Sequence, residues 1–143
     1  MPYTLSHDRD CNCVVVVFEG RVDINVIKEA APKVARLCEE TGCRRILNDM
    51  SNATIDISIA QIPESPRIMD ESQIARATKR ALVLPKGFSE AHFLETVTRN
   101  RGHNLRVFFD VKKARAWLLG DAQGPERYGG NTERPAAQKC EGI

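Results

Sequence analysis

Few residues in this chain are equipped for chemistry: a carboxylate at the end of a predicted strand, Asp49, three histidines, His7, His92 and His103, and the hydroxyls Ser51, Thr54 and Ser58 just after Asp49. Acid–base work needs two groups within reach of one proton. Asp49 and His92 are the pair that a fold could bring together, so a small enzyme using them is one reading. Equally, Asp49 can bond nearby backbone amides, while His92 and His103 can be a surface and a loop side chain. No G-x-S-x-G, Walker A, H-E-x-x-H or G-x-G-x-x-G pattern occurs, so no residue is assigned as catalytic. A phosphate on Ser58 at a helix N-terminus would add about −1.5 to −2 of charge and could switch a partner interface. The plainer reading makes Ser58 or Asp56 an N-cap and Ser51 and Thr54 turn formers. Asp49 ends a parallel strand, where a carboxylate could face a ligand, and for an anionic ligand the candidates are three cations, Lys86 at one end of a predicted helix and Arg99 and Arg101 at the other.

The five cysteines are odd in number and lack the paired knuckle spacing of a zinc site. Cys11-x-Cys13 falls on one predicted strand, and Cys38 and Cys43 flank a helix end. Reduced thiols acting as small apolar side chains are expected, with no metal and no cofactor.

With 143 residues and 42% apolar content, the chain suits one small domain with a core of its own. No apolar stretch approaches the roughly 18 residues of a transmembrane helix. The first ten residues have no apolar signal-peptide segment, and a cytoplasmic location is expected. The 21 basic and 19 acidic residues are unevenly spread. Residues 1–72 carry 8 basic and 12 acidic side chains, whereas residues 73–119 carry 10 basic and 3 acidic. The second stretch, with Arg76, Lys79, Arg80, Arg106 and Arg115 among its cations, could present a positive face. No aromatic residues interleave these cations as base-stacking platforms, and nucleic-acid binding is not expected.

Hydrophobic patterning predicts a short strand over 3–8 and a second over 11–19, whose β-branched run Val14, Val15, Val16, Val17 implies burial on both faces. Gly20 should end that strand. Asp23 should cap a helix ending at Gly42, with a kink or break at Pro32. A third strand is expected over 44–49, followed by a polar connection at 50–54, where α/β sheets favour ligands. Between 55 and 77, isoleucines alternate with Pro63 and Pro66, and two short helical pieces fit best. A fourth strand follows at 79–84. Ser89 should then cap a helix to Arg101, with Phe88 and Phe93 as a hydrophobic staple. A fifth strand over 105–109 and a last helix capped by Asp110 complete residues 1–120 as one domain. Residues 121–143, rich in Gly and Pro, read as a disordered tail. The order implies an α/β fold, a mixed five-stranded sheet with about four helices.

Within this order, Gly20, Leu47-Asn48-Asp49, Asn100-Arg101-Gly102, Arg106-Val107-Phe108, Ala114 and Trp117-Leu118 resemble the SpoIIAA-like family of small bacterial STAS-type proteins, which are related to CRAL-TRIO domains. The resemblance implies a non-catalytic regulatory or ligand-binding module that docks a protein partner or a small anionic or lipid-like ligand. Anti-sigma-factor antagonists of this kind carry a phosphorylatable serine in an Asp-Ser-Ser-Gly-type segment, and no such segment is present here. The CRAL-TRIO likeness implies the alternative of a lipid carrier with an apolar pocket between residues 55–74 and the sheet. A homodimer through a sheet edge or helix is compatible with either.

Overall fold

The valine run anticipated as doubly buried sits at the centre of the sheet. In the computed structural model, which describes residues 2–120, Val14 and Val16 point to one face and Val15 and Val17 to the other. The expectation for residues 121–143 lies outside the described residues. The elements are β1 (Tyr3–Asp8), β2 (Cys13–Asp23), α1 (Ile24–Thr41), β3 (Arg45–Asp56), a 3-10 turn (Ile59–Gln61), α2 (Glu64–Glu71), β4 (Lys79–Val83), α3 (Ala91–Asn100), β5 (Leu105–Phe108) and α4 (Val111–Leu118). The five strands lie in the order in which they occur, β1 antiparallel to β2 and the other pairs parallel. This is the expected α/β arrangement of a mixed five-stranded sheet with four α-helices.

Alternation along the strands divides the core in two. Val14, Val16, Phe18, Ile46, Leu82 and Leu84 face a layer made by α1, α2 and α3, while Val15, Leu47, Ala81, Val83 and Phe108 face α4, the one helix on that side among the described residues. Parallel strands need helical crossovers, and three helices on one side and one on the other leave both faces covered.

Several local expectations change. The strand β2 does not end at Gly20 but runs to Asp23, and β3 runs to Asp56 instead of stopping at Asp49. The register between them shows why. Val17 pairs with Asp49 and Glu19 with Asn52, so β3 holds one extra residue there. A bulge absorbs the polar residues and pairing then resumes. Beyond it, Arg21 pairs with Asp23 on its own strand and with Asp56 across on β3.

The cap on α1 is as expected, with Asp23 Oδ1 accepting from the Val26 amide at 3.1 Å. Gly42, at φ 71°, supplies the left-handed residue that closes the helix. The helix is nevertheless continuous through Pro32, whose ring is exposed. Ser89 is not the cap of α3: Glu90 holds that position, and the Ser89 hydroxyl donates to the Glu90 carboxylate at 2.7 Å. The staple fails with it. Phe88 packs on the core while Phe93 is 41% exposed.

The edge strand β5 is closed from the side. Glu95 accepts from the Val107 amide at 2.9 Å, and Arg99, one helical turn later, donates to the Leu105 carbonyl at 3.0 Å. Two outward backbone groups of the edge are thereby satisfied, which blunts strand pairing with a second copy there.

Candidate functional site

Across β3, β4 and β5 the register places Ile46, Arg80 and Leu105 in one row on the inner face, beneath the three-helix layer. An arginine thus stands where the period of the strand calls for an apolar residue. Arg80 is 1% exposed, and its Nε, Nη1 and Nη2 have no hydrogen-bond partner among the described residues. Burial pulls its pKa down to about 10, with Asp70 and Cys38 acting in the opposite direction, so it stays protonated at neutral pH. A buried guanidinium carries five donors and a full charge, and leaving both unanswered is costly. The sequence places this residue among the cations of a positive surface, and the structure corrects that: Arg80 belongs to the interior.

The same side chain lines a cavity of about 80 Å³ between the sheet, α1 and residues 55–74. Ile27 and Ala31 of α1, Ile62 and Met69 of the covering segment, and Leu82 of β4 give it an apolar wall. Its polar lining comes from Asn48, Gln61, Ser65 and Arg80. A single water needs roughly 10–15 Å³ of such space, and an apolar cavity of about 150 Å³ takes up benzene. The space is therefore larger than a hydration site and suited to a small organic group.

Next to Arg80 lies a second buried polar group. His103 is fully buried, and its Nε2 is 2.9 Å from Asp70 Oδ1. A carboxylate can only accept, so Nε2 carries the proton and donates, leaving Nδ1 without a partner among the described residues. Asp70 also pairs with Arg76 at 3.1 Å and Arg101 at 3.9 Å. Desolvation, then the charge on Arg80, holds the His103 pKa below its ordinary 6.5, with Arg76 adding to the depression and Asp70 opposing it. Asp70 is itself held below 3.8, chiefly by its hydrogen bonds from Arg76.

Both groups are depressed in the folded state, so the unfolded chain binds more protons in acid. The stability they confer is present above the unfolded values and is lost as pH falls. The His103 contribution should begin to decline as pH falls below about 6.5 and that of Asp70 only below about pH 3.8. Thermal midpoints measured from pH 7.5 down to pH 5 should therefore fall for the native chain and fall less for His103→Gln. Equal slopes would remove His103 from this role.

The residues singled out from sequence do not converge. Asp49 lies in β3 on the α4 side of the sheet, away from the cavity face, and its Oδ1 accepts from both the Ser51 amide at 3.0 Å and the Ser51 hydroxyl at 2.7 Å. It serves the bulge, where the ladder is interrupted. His92 is exposed in the first turn of α3 and shares no hydrogen bond with Asp49. Ser51 and Thr54 are strand residues and not part of a loop. Ser58 is exposed ahead of a three-residue 3-10 turn, its amide donating to Gln61 Oε1 at 3.0 Å. That turn is too short to offer a helix dipole to a phosphate. Lys86 sits in the turn after β4, whereas Arg99 and Arg101 lie at the far end of α3 and are engaged by Leu105 and Asp70. The ten residues of α3 separate the two groups by about 15 Å.

Cys11, Cys13 and Cys43 are buried, and burial pushes the Cys13 thiol well above its ordinary value. Among the described residues no group of three or more His, Cys, Asp or Glu side chains is placed to hold a metal ion. Nor is any described helix long and apolar enough to cross a membrane.

The chain is similar to two solved structures of SpoIIAA. One is the anti-sigma factor antagonist SpoIIAA in its unphosphorylated form, at 14% identity over 70% of this chain and 98% of that one, with a TM-score of 0.43. The other is the Bacillus cell fate determinant SpoIIAA in its phosphorylated form, at 12% identity over 73% of this chain and 89% of that one, with a TM-score of 0.45. The likeness is one of fold. No protein-family model and no curated protein matches the chain.

Proposed function

We propose that this protein is a non-catalytic binding module that takes a small apolar or amphipathic molecule into the cavity under residues 55–74. The observation that carries the reading is the cavity itself, walled by Ile27, Ala31, Ile62, Met69 and Leu82. The cavity is partly open to solvent, and an apolar group seated in it would exchange water contacts for contacts with this wall. The covering segment also suits entry. It consists of one 3-10 turn and an eight-residue helix, with Pro63 at the N-cap and Pro66 in the first turn of that helix, and has little hydrogen-bonded backbone to break.

Native mass spectrometry of the full chain purified from its own host is the test. A retained organic molecule, released on denaturation and absent from Ala31→Leu, which fills the cavity, is the expected result. A bare polypeptide mass, with no uptake of hexanol or octanol by the purified chain, would overturn the reading. A second reading, docking of a protein under phosphate control, is favoured by the exposed hydroxyls of Thr54, near the end of β3, and Ser58, just before the 3-10 turn. A mass increase of one phosphate in the same spectrum would select it.

A further inference from the structure

The wall of this cavity is apolar except for a few groups, and Arg80 is its charged member. Arginine presents a planar fork of N–H donors that matches the two oxygens of a carboxylate. Here the guanidinium lies at the cavity wall on β4, between Ile46 and Leu105; its three nitrogens are covered by neighbouring side chains and unused among the described residues, so a ligand reaches them by a small shift of that cover. Asp70 does not fill the role, because its oxygens are taken by Arg76, Arg101 and His103 at the rim of the domain.

Building on the cavity reading, we propose that the ligand is an amphipathic monocarboxylate, its carboxylate accepting hydrogen bonds from the Arg80 guanidinium and its alkyl group filling the apolar remainder. One negative charge cancels the one positive charge. A phosphate dianion would leave a net charge buried among isoleucines, and a neutral alcohol would leave the guanidinium unanswered, so both are disfavoured by the desolvation cost. Volume sets a second limit. About 80 Å³ is roughly half the cavity that takes up benzene, so a short chain fits, and a ring or a long acyl chain would have to displace the segment above it.

The test is isothermal titration of the full chain at neutral pH with the straight-chain acids from butanoate to decanoate and with the alcohols of matching length. The proteins are the native chain, Arg80→Met, which keeps the length of the side chain without its charge, and Arg80→Lys, which keeps the charge without the fork. The best acid should bind the native chain at least about tenfold tighter than its alcohol, Arg80→Met should reverse that preference, and Arg80→Lys should fall between the two. Circular dichroism of each variant separates loss of binding from loss of fold. Equal binding of acid and alcohol, or undiminished acid binding by Arg80→Met, would overturn the carboxylate anchor and leave the cavity reading in place. Binding of no acid and no alcohol by the native chain would overturn both.

Discussion

Arg80→Met should make the ligand-free protein more stable, by about 2–4 kcal/mol, and raise its thermal midpoint by roughly 5–15 °C. Most substitutions at a position 1% exposed lower stability, so the sign of this effect is diagnostic. The guanidinium has surrendered its hydration and received no hydrogen bond from the described residues in return. Methionine fills much the same volume, is flexible enough to settle against Ile46, Leu82 and Leu105, and has no donor to satisfy. Removing the charge does not strand Asp70, which keeps Arg76, Arg101 and His103. It should also relieve part of the depression of His103, since the Arg80 charge is the second cause of it. Differential scanning calorimetry of the two proteins decides the matter. A lower midpoint for the variant would mean that Arg80 is an asset to the fold, satisfied in solution, and would take away the reason to assign it a ligand. A gain in stability coupled to a loss of carboxylate binding is the signature of a residue retained for function.

How far the sequence reveals this arrangement depends on which signal each part leaves. The sheet is legible because Val14–Val17, the Asp23 and Asp110 caps and the Gly42 stop are local signals that tertiary structure had no cause to override. The extension of β3 is not, because Asp49-Met50-Ser51-Asn52 has turn composition and only its partner β2 shows that it continues through a bulge. Arg80 is missed for a related reason. Lys79 and Arg80 open β4 side by side, and a pair of cations at a strand end reads as solvated. The signal was present in the period: Arg80, Leu82 and Leu84 share one face, and Lys79, Ala81 and Val83 share the other, so one of the two cations had to point inward. Arg99 shows a second role that charge alone does not disclose. Its charge suggested a ligand, but its place one turn after Glu95 equips it to close the edge of β5, which no local pattern can reveal before the strand order is known.

Trp117→Ala should cost about 3–5 kcal/mol, a large share of the roughly 5–15 kcal/mol that holds a domain together. The reason lies in the unequal cover of the sheet. Three helices share the cavity face, whereas among the described residues α4, eight residues long, alone covers Val15, Leu47, Ala81, Val83 and Phe108 on the other. Trp117 is the largest side chain that α4 contributes there. Its ring lies 5.9 Å from that of Phe108, and it has the Lys79 ammonium 4.6 Å and the Arg106 guanidinium 5.6 Å from its centroid. Truncation would remove the packing and leave two cations without the ring that faces them, each such contact being worth about 0.5–1 kcal/mol. Trp117→Phe keeps a π face and much of the volume, and should cost about 1–2 kcal/mol. Urea denaturation of the three proteins orders them. If Trp117→Ala unfolds within about 1 kcal/mol of the native chain, α4 does not anchor the second face and the division of the core into two unequal halves is wrong. The same variant bears on the site. Trp117 lies across the sheet from Arg80, so at temperatures where Trp117→Ala remains folded its preference for a carboxylate over the matching alcohol should be unchanged, whereas Arg80→Met loses that preference while gaining stability. Opposite movements of stability and binding in the two variants would separate the face that holds the fold from the face that holds the ligand.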